Sequence, residues 1–169
     1  MAQDAYVPLA KASGAATTYT FNDIPSGYDD LIIRGFIYTT TSAYSYYSGV
    51  QFNGDTSTNY DAWIIGTDDG TFAAYGTNDN QDSIPGIELP GSSTGTVNGN
   101  GFEMVIYGYS NTSYYTNVRS SGGYGNGSYG KVRNYGGQWR NTAAVTSITF
   151  SGPPNFNANS KVALYGRRS

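Results

Sequence analysis

No window of this chain repeats apolar residues at i, i+3, i+4 and i+7 for more than a turn or two, and that absence constrains the fold more than any residue present. A helix needs such spacing to lay one apolar stripe against a core. What recurs instead is alternation with period two, cut into short runs by clusters of Gly, Asn, Asp, Pro and Ser. Successive side chains of a strand point to opposite faces, so alternation of this kind means sheets with one buried face. The chain is read as all-β, an antiparallel β-sandwich of roughly ten short strands. Its 169 residues fit a single domain, 1–169, with room for a two-layer core.

The strands can be placed in order. Residues 5–11 make a weak edge strand or part of an N-terminal arm, 1–16, because Pro8 has no N–H to give a ladder. Thr17 to Phe21 turns Tyr19 and Phe21 to one face, and 22–27 is a turn. Asp30 to Tyr38 carries Leu31, Ile33 and Ile37 on one face and Ile32, Phe36 and Tyr38 on the other, which places it centrally. Asn53, Gly54 and Asp55 are read as a hairpin turn. It joins a strand ending in Val50 and Phe52 to one carrying Tyr60, Trp63, Ile64 and Ile65. Asn-Gly suits a type I′ turn, whose two central residues both need positive φ. Asp68-Asp69-Gly70 turns into a short strand through Phe72 and Tyr75, 78–83 is a further acidic turn, and 84–90 is an irregular strand.

After a polar loop at 91–101, Phe102 to Tyr109 is a second strong strand, paired with Tyr114 to Ser120 across Ser110-Asn111-Thr112. The stretch 122–137, GGYGNGSYGKVRNYGG, is either a long Gly/Tyr-rich loop or an irregular hairpin around Lys131, Val132 and Arg133. Ala144 to Phe150 is a strand broken by Gly152-Pro153-Pro154, Lys161 to Tyr165 closes the sandwich, and 166–169 is a solvated tail.

Composition removes whole classes of function. With neither Cys nor His there is no disulfide, no thiolate nucleophile, no zinc site of the Cys/His kind and no Ser-His-Asp triad. Nine Lys and Arg in a chain of net charge −3 leave no electrostatic footprint for nucleic acid, and no run of 18 apolar residues offers a membrane span. The start, MAQDAYVPLAKASG, lacks the basic and apolar regions of a secretory signal, so synthesis in a cytoplasm is expected.

A glycosidase needs only two carboxylates, but Asp55, Asp61, Asp68, Asp69, Asp79 and Asp82 all lie in turns where Asx hydrogen bonding explains them. Glu103 sits on a strand, where a partnered structural role is expected. A calcium loop starting at Asn78 would need Glu at its twelfth position and has Leu89. No catalytic residue, metal or cofactor is therefore expected.

Leu, Ile, Val and Phe together number 29, a thin aliphatic core, while 17 Tyr and 2 Trp supply much of the remaining burial area. A thin core favours oligomers that hide tyrosine-rich faces between subunits. Tyr44, Tyr46, Tyr47, Tyr114, Tyr115, Tyr124, Tyr129, Tyr135 and Trp139 are the candidate contact aromatics. They suit a protein interface and the faces of sugars equally, and the sequence does not separate the two.

Five stretches, YTFNDIPSGYDDLIIRG (19–35), FNGDTSTNY (52–60), NGFEMVIYGY (100–109), AAVTSITFSG (143–152) and SKVALYG (160–166), run in order through most of the chain. As a set they resemble the small jelly-roll proteins that decorate or cement the capsids of tailed bacteriophages, with relatives on tails. The resemblance implies a jelly roll of eight or more strands, usually a homotrimer, attached to the outside of a virion and without catalysis. Its implied partners are the phage major capsid protein or other virion proteins. A tail-associated protein that recognises a host surface glycan is the alternative. The Gly/Tyr-rich 122–137 segment departs from the pattern and leaves capsid and host as alternatives.

Overall fold

The computed structural model describes residues 5–42, 45–91, 99–125 and 130–168, with backbone alone at 73, 75–78, 153 and 154. The chain is a jelly-roll-like antiparallel β-sandwich of two sheets, without a helix among the described residues. The larger sheet has eight strands in the order β1 (Ala5–Ser13), β12 (Lys161–Arg168), β3 (Asp30–Ile37), β8 (Asn100–Tyr107), β9 (Thr116–Gly125), β10 (Gly130–Trp139), β5 (Tyr60–Asp68) and β6 (Thr71–Gln81). The smaller has four, in the order β2 (Ala16–Phe21), β11 (Ile148–Phe156), β4 (Ser45–Phe52) and β7 (Ile84–Pro90). Twelve strands stand where the alternation predicts about ten.

The core lies between the sheets and follows the alternation. β3 contributes Leu31 and Ile33, β8 contributes Phe102, Met104 and Ile106, and β12 contributes Val162 and Leu164. Tyr19, Phe21, Val50, Phe52, Ile84, Ile87, Leu89 and Phe150 meet them from the smaller sheet. β3 does lie inside its sheet, between β12 and β8, and β9 does pair with β8. β1 is the edge predicted from Pro8, and its register with β12 shifts between Pro8 and Ala10.

Several expectations need correction. The turn at Asn53-Gly54 has the predicted backbone, φ 53° and 67°, but closes no hairpin. β4 pairs with β11 and β7, whereas β5 pairs with β10 and β6, so the turn is an arch that carries the chain from one sheet to the other. The tight hairpin lies at Asp69-Gly70, φ 47° and 80°, where Asp68 opposes Thr71.

The acidic stretch 78–83 is not a turn throughout, because β6 continues to Gln81 with an irregular register against β5. Of the two readings of 122–137, a loop or an irregular hairpin, the structure takes the hairpin. Apart from residues outside the described set it forms the β9–β10 hairpin, in unbroken register from Gly125 opposite Gly130 to Thr116 opposite Trp139. Gly152-Pro153-Pro154 makes a bulge rather than a stop. β11 resumes at Phe156, whose buried ring stacks on Tyr19 with centroids 4.5 Å apart.

Of the tail, 166–168 belong to β12, with Gly166 buried, Arg167 half-buried and Arg168 exposed, and Ser169 lies outside the described residues. Arg167 pairs with Asp30, and the Arg168 guanidinium lies 4.7 Å over the Tyr28 ring.

Candidate functional site

The arch at residues 53–60 explains itself chemically. Asn53 donates through Nδ2 to the Ala144 carbonyl at 2.8 Å, and its Oδ1 accepts from the Thr146 and Ser147 amides at 2.8 and 3.1 Å. Asp55 accepts from Asn59 Nδ2 at 3.0 Å, from the buried Trp139 Nε1 at 2.8 Å and from the Ser57 amide at 2.9 Å. Those donors, Asn59 foremost, hold its carboxyl at a pKa of about 2. The Tyr60 hydroxyl accepts from the Phe52 amide at 3.0 Å and donates to the Asp55 carbonyl at 3.0 Å; burial pushes it up to about 12. Asn53, Gly54 and Asp55 thus fasten the arch and carry no free chemistry.

Residues from four other segments, around Pro25, Tyr109, Val145 and Gly166, meet at one end of the sandwich. The Tyr109 hydroxyl donates to the Pro25 carbonyl and accepts from the Tyr28 amide. The Val145 amide donates to the Tyr109 carbonyl, and the Ile24 amide to Thr146. The Tyr28 ring lies against Gly166, where a Cβ would come within 2.4 Å of it. Residues far apart in sequence are therefore the stitching of one end of the fold.

A second concentration of chemistry is internal. Glu88 on β7 is 1 % exposed and Arg133 on β10 is 2 % exposed, and together they bridge the two sheets. Arg133 Nε meets Glu88 Oε2 at 2.9 Å and Nη2 meets Asp68 Oδ1 at 2.7 Å, while Lys131 pairs with Glu88 and, at 3.2 Å, with Asp68. Burial works against the Arg133 charge, but the hydrogen bond to Asp68 and the field of Glu88 outweigh it and raise its pKa. Burial raises the nearby Tyr135 hydroxyl, against whose ring Tyr47 packs edge-on. Glu88, Arg133, Asp68 and Lys131 engage one another across the two sheets and read as a cross-sheet clamp.

Asp69 accepts from the Gly130 amide at 2.7 Å. Glu103 pairs with Arg34 at 2.6 Å in the open. Among the described residues no three acidic side chains come together as a metal site would need.

What remains is the outer face of the eight-stranded sheet, and it is banded. One band, read across the strands by register, runs Phe72, Thr67, Val132, Gly123, Gly101 and Phe36. Phe72 is 70 % exposed, Val132 54 % and Phe36 44 %, so large apolar side chains here are uncovered. Two rows further along lie Trp63, Gly136, Arg119 and Val105, then Gln138, Asn117 and Tyr107. Three shallow depressions lie along this second region, and the two on either side of β9 share Arg119 as lining.

Compared with family models, curated proteins and solved structures, the chain matches none. The reading of function therefore stands on these surfaces and on the resemblance of the five stretches.

The candidate aromatics divide. Tyr47, Tyr114 and Tyr115 are exposed, and Tyr46 is half-buried. Tyr124, Tyr135 and Trp139 are buried within the single chain and present no face to sugar or subunit, because the β9–β10 segment is sheet and turns them inward. Tyr44 and Tyr129 lie outside the described residues. Trp63, Ile65, Phe72, Val132 and Arg119 stand outside the candidate contact aromatics, yet they dominate the exposed face. The signal was present: in YDAWIIG the alternation puts Tyr60, Ala62, Ile64 and Gly66 on the buried face and Trp63 and Ile65 on the open one.

Proposed function

We propose that this chain is a non-enzymatic structural protein of a tailed-phage virion that decorates or cements the capsid surface as a homotrimer. The apolar band of Phe72, Val132 and Phe36 is the observation that carries the assembly half of this reading. The chain has closed its own core and still leaves these side chains to water, which self-association would relieve. Three sandwiches in a closed ring, each giving its band to its neighbour, form a heterologous interface that should clear about 1,000 Å². The resemblance of the five stretches supplies the virion, and the phage major capsid protein or another shell protein is the partner. The Glu88–Arg133 clamp across the sandwich suits a protein that must stay rigid on a particle.

Purified protein added to particles stripped of it should rebind and raise the temperature at which they release DNA. Particles that regain neither the protein nor their heat resistance would remove the capsid from this reading.

A further inference from the structure

We infer that the trough along β9 and β10 on the outer face is a binding site for a linear polysaccharide that carries carboxylates. The site lies beyond the apolar band and adjoins it through exposed Ile65, with Val132 and Gly136 four residues apart on one strand, about 13 Å. The floor carries Gly136, Ser121, Asn117 and Asn134, with Ile65 and the Arg34-paired Glu103 bordering it on either side. Trp63 walls one side and Tyr107 the other, and Tyr114 and Tyr115 stand at the open end beside Asn117 and Gln138. All four aromatics are 40 % exposed or more. Flat rings with amide donors and acceptors between them offer stacking and hydrogen bonding to successive sugar units, and neither demands a deep pocket.

Two features commit the site to this ligand. Gly136 lies in register between Trp63 and Arg119, and a Cβ there would meet nothing within 4 Å, so packing does not require the glycine. Its bareness leaves a gap between ring and guanidinium about 10 Å wide from backbone to backbone. A sugar ring can lie in it. The second is charge. Glu103 is taken by Arg34, Asp61 by Arg140 at 3.1 Å and Asp30 by Arg167, whereas Arg119 has no ion-pair partner among the described residues. An exposed guanidinium left over beside an exposed tryptophan selects a carboxylate on the sugar. The three depressions are shallow and give a protein segment no pocket in which to bury an anchoring side chain.

The full chain, in whatever assembly it forms, should be titrated with alginate and polygalacturonate, with neutral dextran as control. Trp63 is the exposed tryptophan and Trp139 the buried one, so fluorescence reads the trough directly. Both uronate polymers should shift the emission, and dextran should bind far more weakly. Trp63→Ala, followed by affinity electrophoresis, and Arg119→Ala should each weaken binding about tenfold or more, as buried aromatic and Arg anchors do. Gly136→Leu should abolish binding with an unchanged melting temperature. Phe72→Ser, which touches the band alone, should leave it intact. The inference is overturned if neither uronate binds, or if binding survives both Trp63→Ala and Gly136→Leu. It is also overturned if acrylamide cannot reach Trp63 in the assembled protein, which would make the trough a subunit contact.

Discussion

Replacing Glu88 by Gln tests the cross-sheet clamp. Glu88 and Arg133 are each about 98 % removed from water or more, and their carboxylate and guanidinium meet at 2.9 Å. Removing one charge leaves the other buried and uncompensated, which costs about 3–5 kcal/mol in such pairs. Asp68 still reaches both Arg133 and Lys131, and its side chain is 33 % exposed, so the loss should fall at the low end, about 3 kcal/mol. For a chain of this length that is a fall in melting temperature of roughly 6–12 °C. Calorimetry of Glu88→Gln, together with Glu88→Leu, Arg133→Met and Glu88→Leu/Arg133→Met at one protein concentration, gives the first test and the full cycle. Each single change should destabilise strongly. The double change replaces the pair with apolar volume and should recover to within about 1 kcal/mol of the parent. A Glu88→Gln protein within about 0.5 kcal/mol of the parent, or a double variant as unstable as the two singles added, would refute the clamp.

Two further predictions concern the arch. The Asp55 carboxyl has a folded pKa of about 2 against an ordinary 3.8, so its contribution is whole above about pH 4 and disappears as pH falls to 2. The melting-temperature gap between the parent and Asp55→Ala should narrow over that window, and a gap constant from pH 6 to pH 2 would contradict the assignment. Gly54 has φ +67° with open space around it, so Gly54→Val meets backbone strain alone and should cost roughly 1–3 kcal/mol in urea titration; an unchanged midpoint would mean the arch tolerates a β-branched residue there.

The sequence made the elements legible and the layers much less so. Alternation through Leu31, Ile33, Phe102, Met104 and Ile106 identifies both the strands and the faces they bury. Asn53-Gly54 announces positive φ correctly, yet the same turn chemistry serves a hairpin within one sheet and an arch between two. Only the partners of β4 and β5, brought from elsewhere in the chain, decide between them. The glycine and tyrosine run at 122–137 leaves loop and hairpin as alternatives because glycine has little strand propensity of its own. Its pairing comes from neighbours on both sides, β8 and β5. The tyrosines divided for the same reason: exposure depends on register, and a one-residue shift exchanges the two faces. Glu88 and Arg133 are 45 residues apart, and no local pattern marks them as partners.

Native mass spectrometry tests the assembly most directly. The account predicts one dominant species at three times the 18.1 kDa chain mass, reduced to monomer by Phe72→Ser/Val132→Ser and unaffected by chelators. A parent protein that stays at 18.1 kDa at micromolar concentration would contradict it.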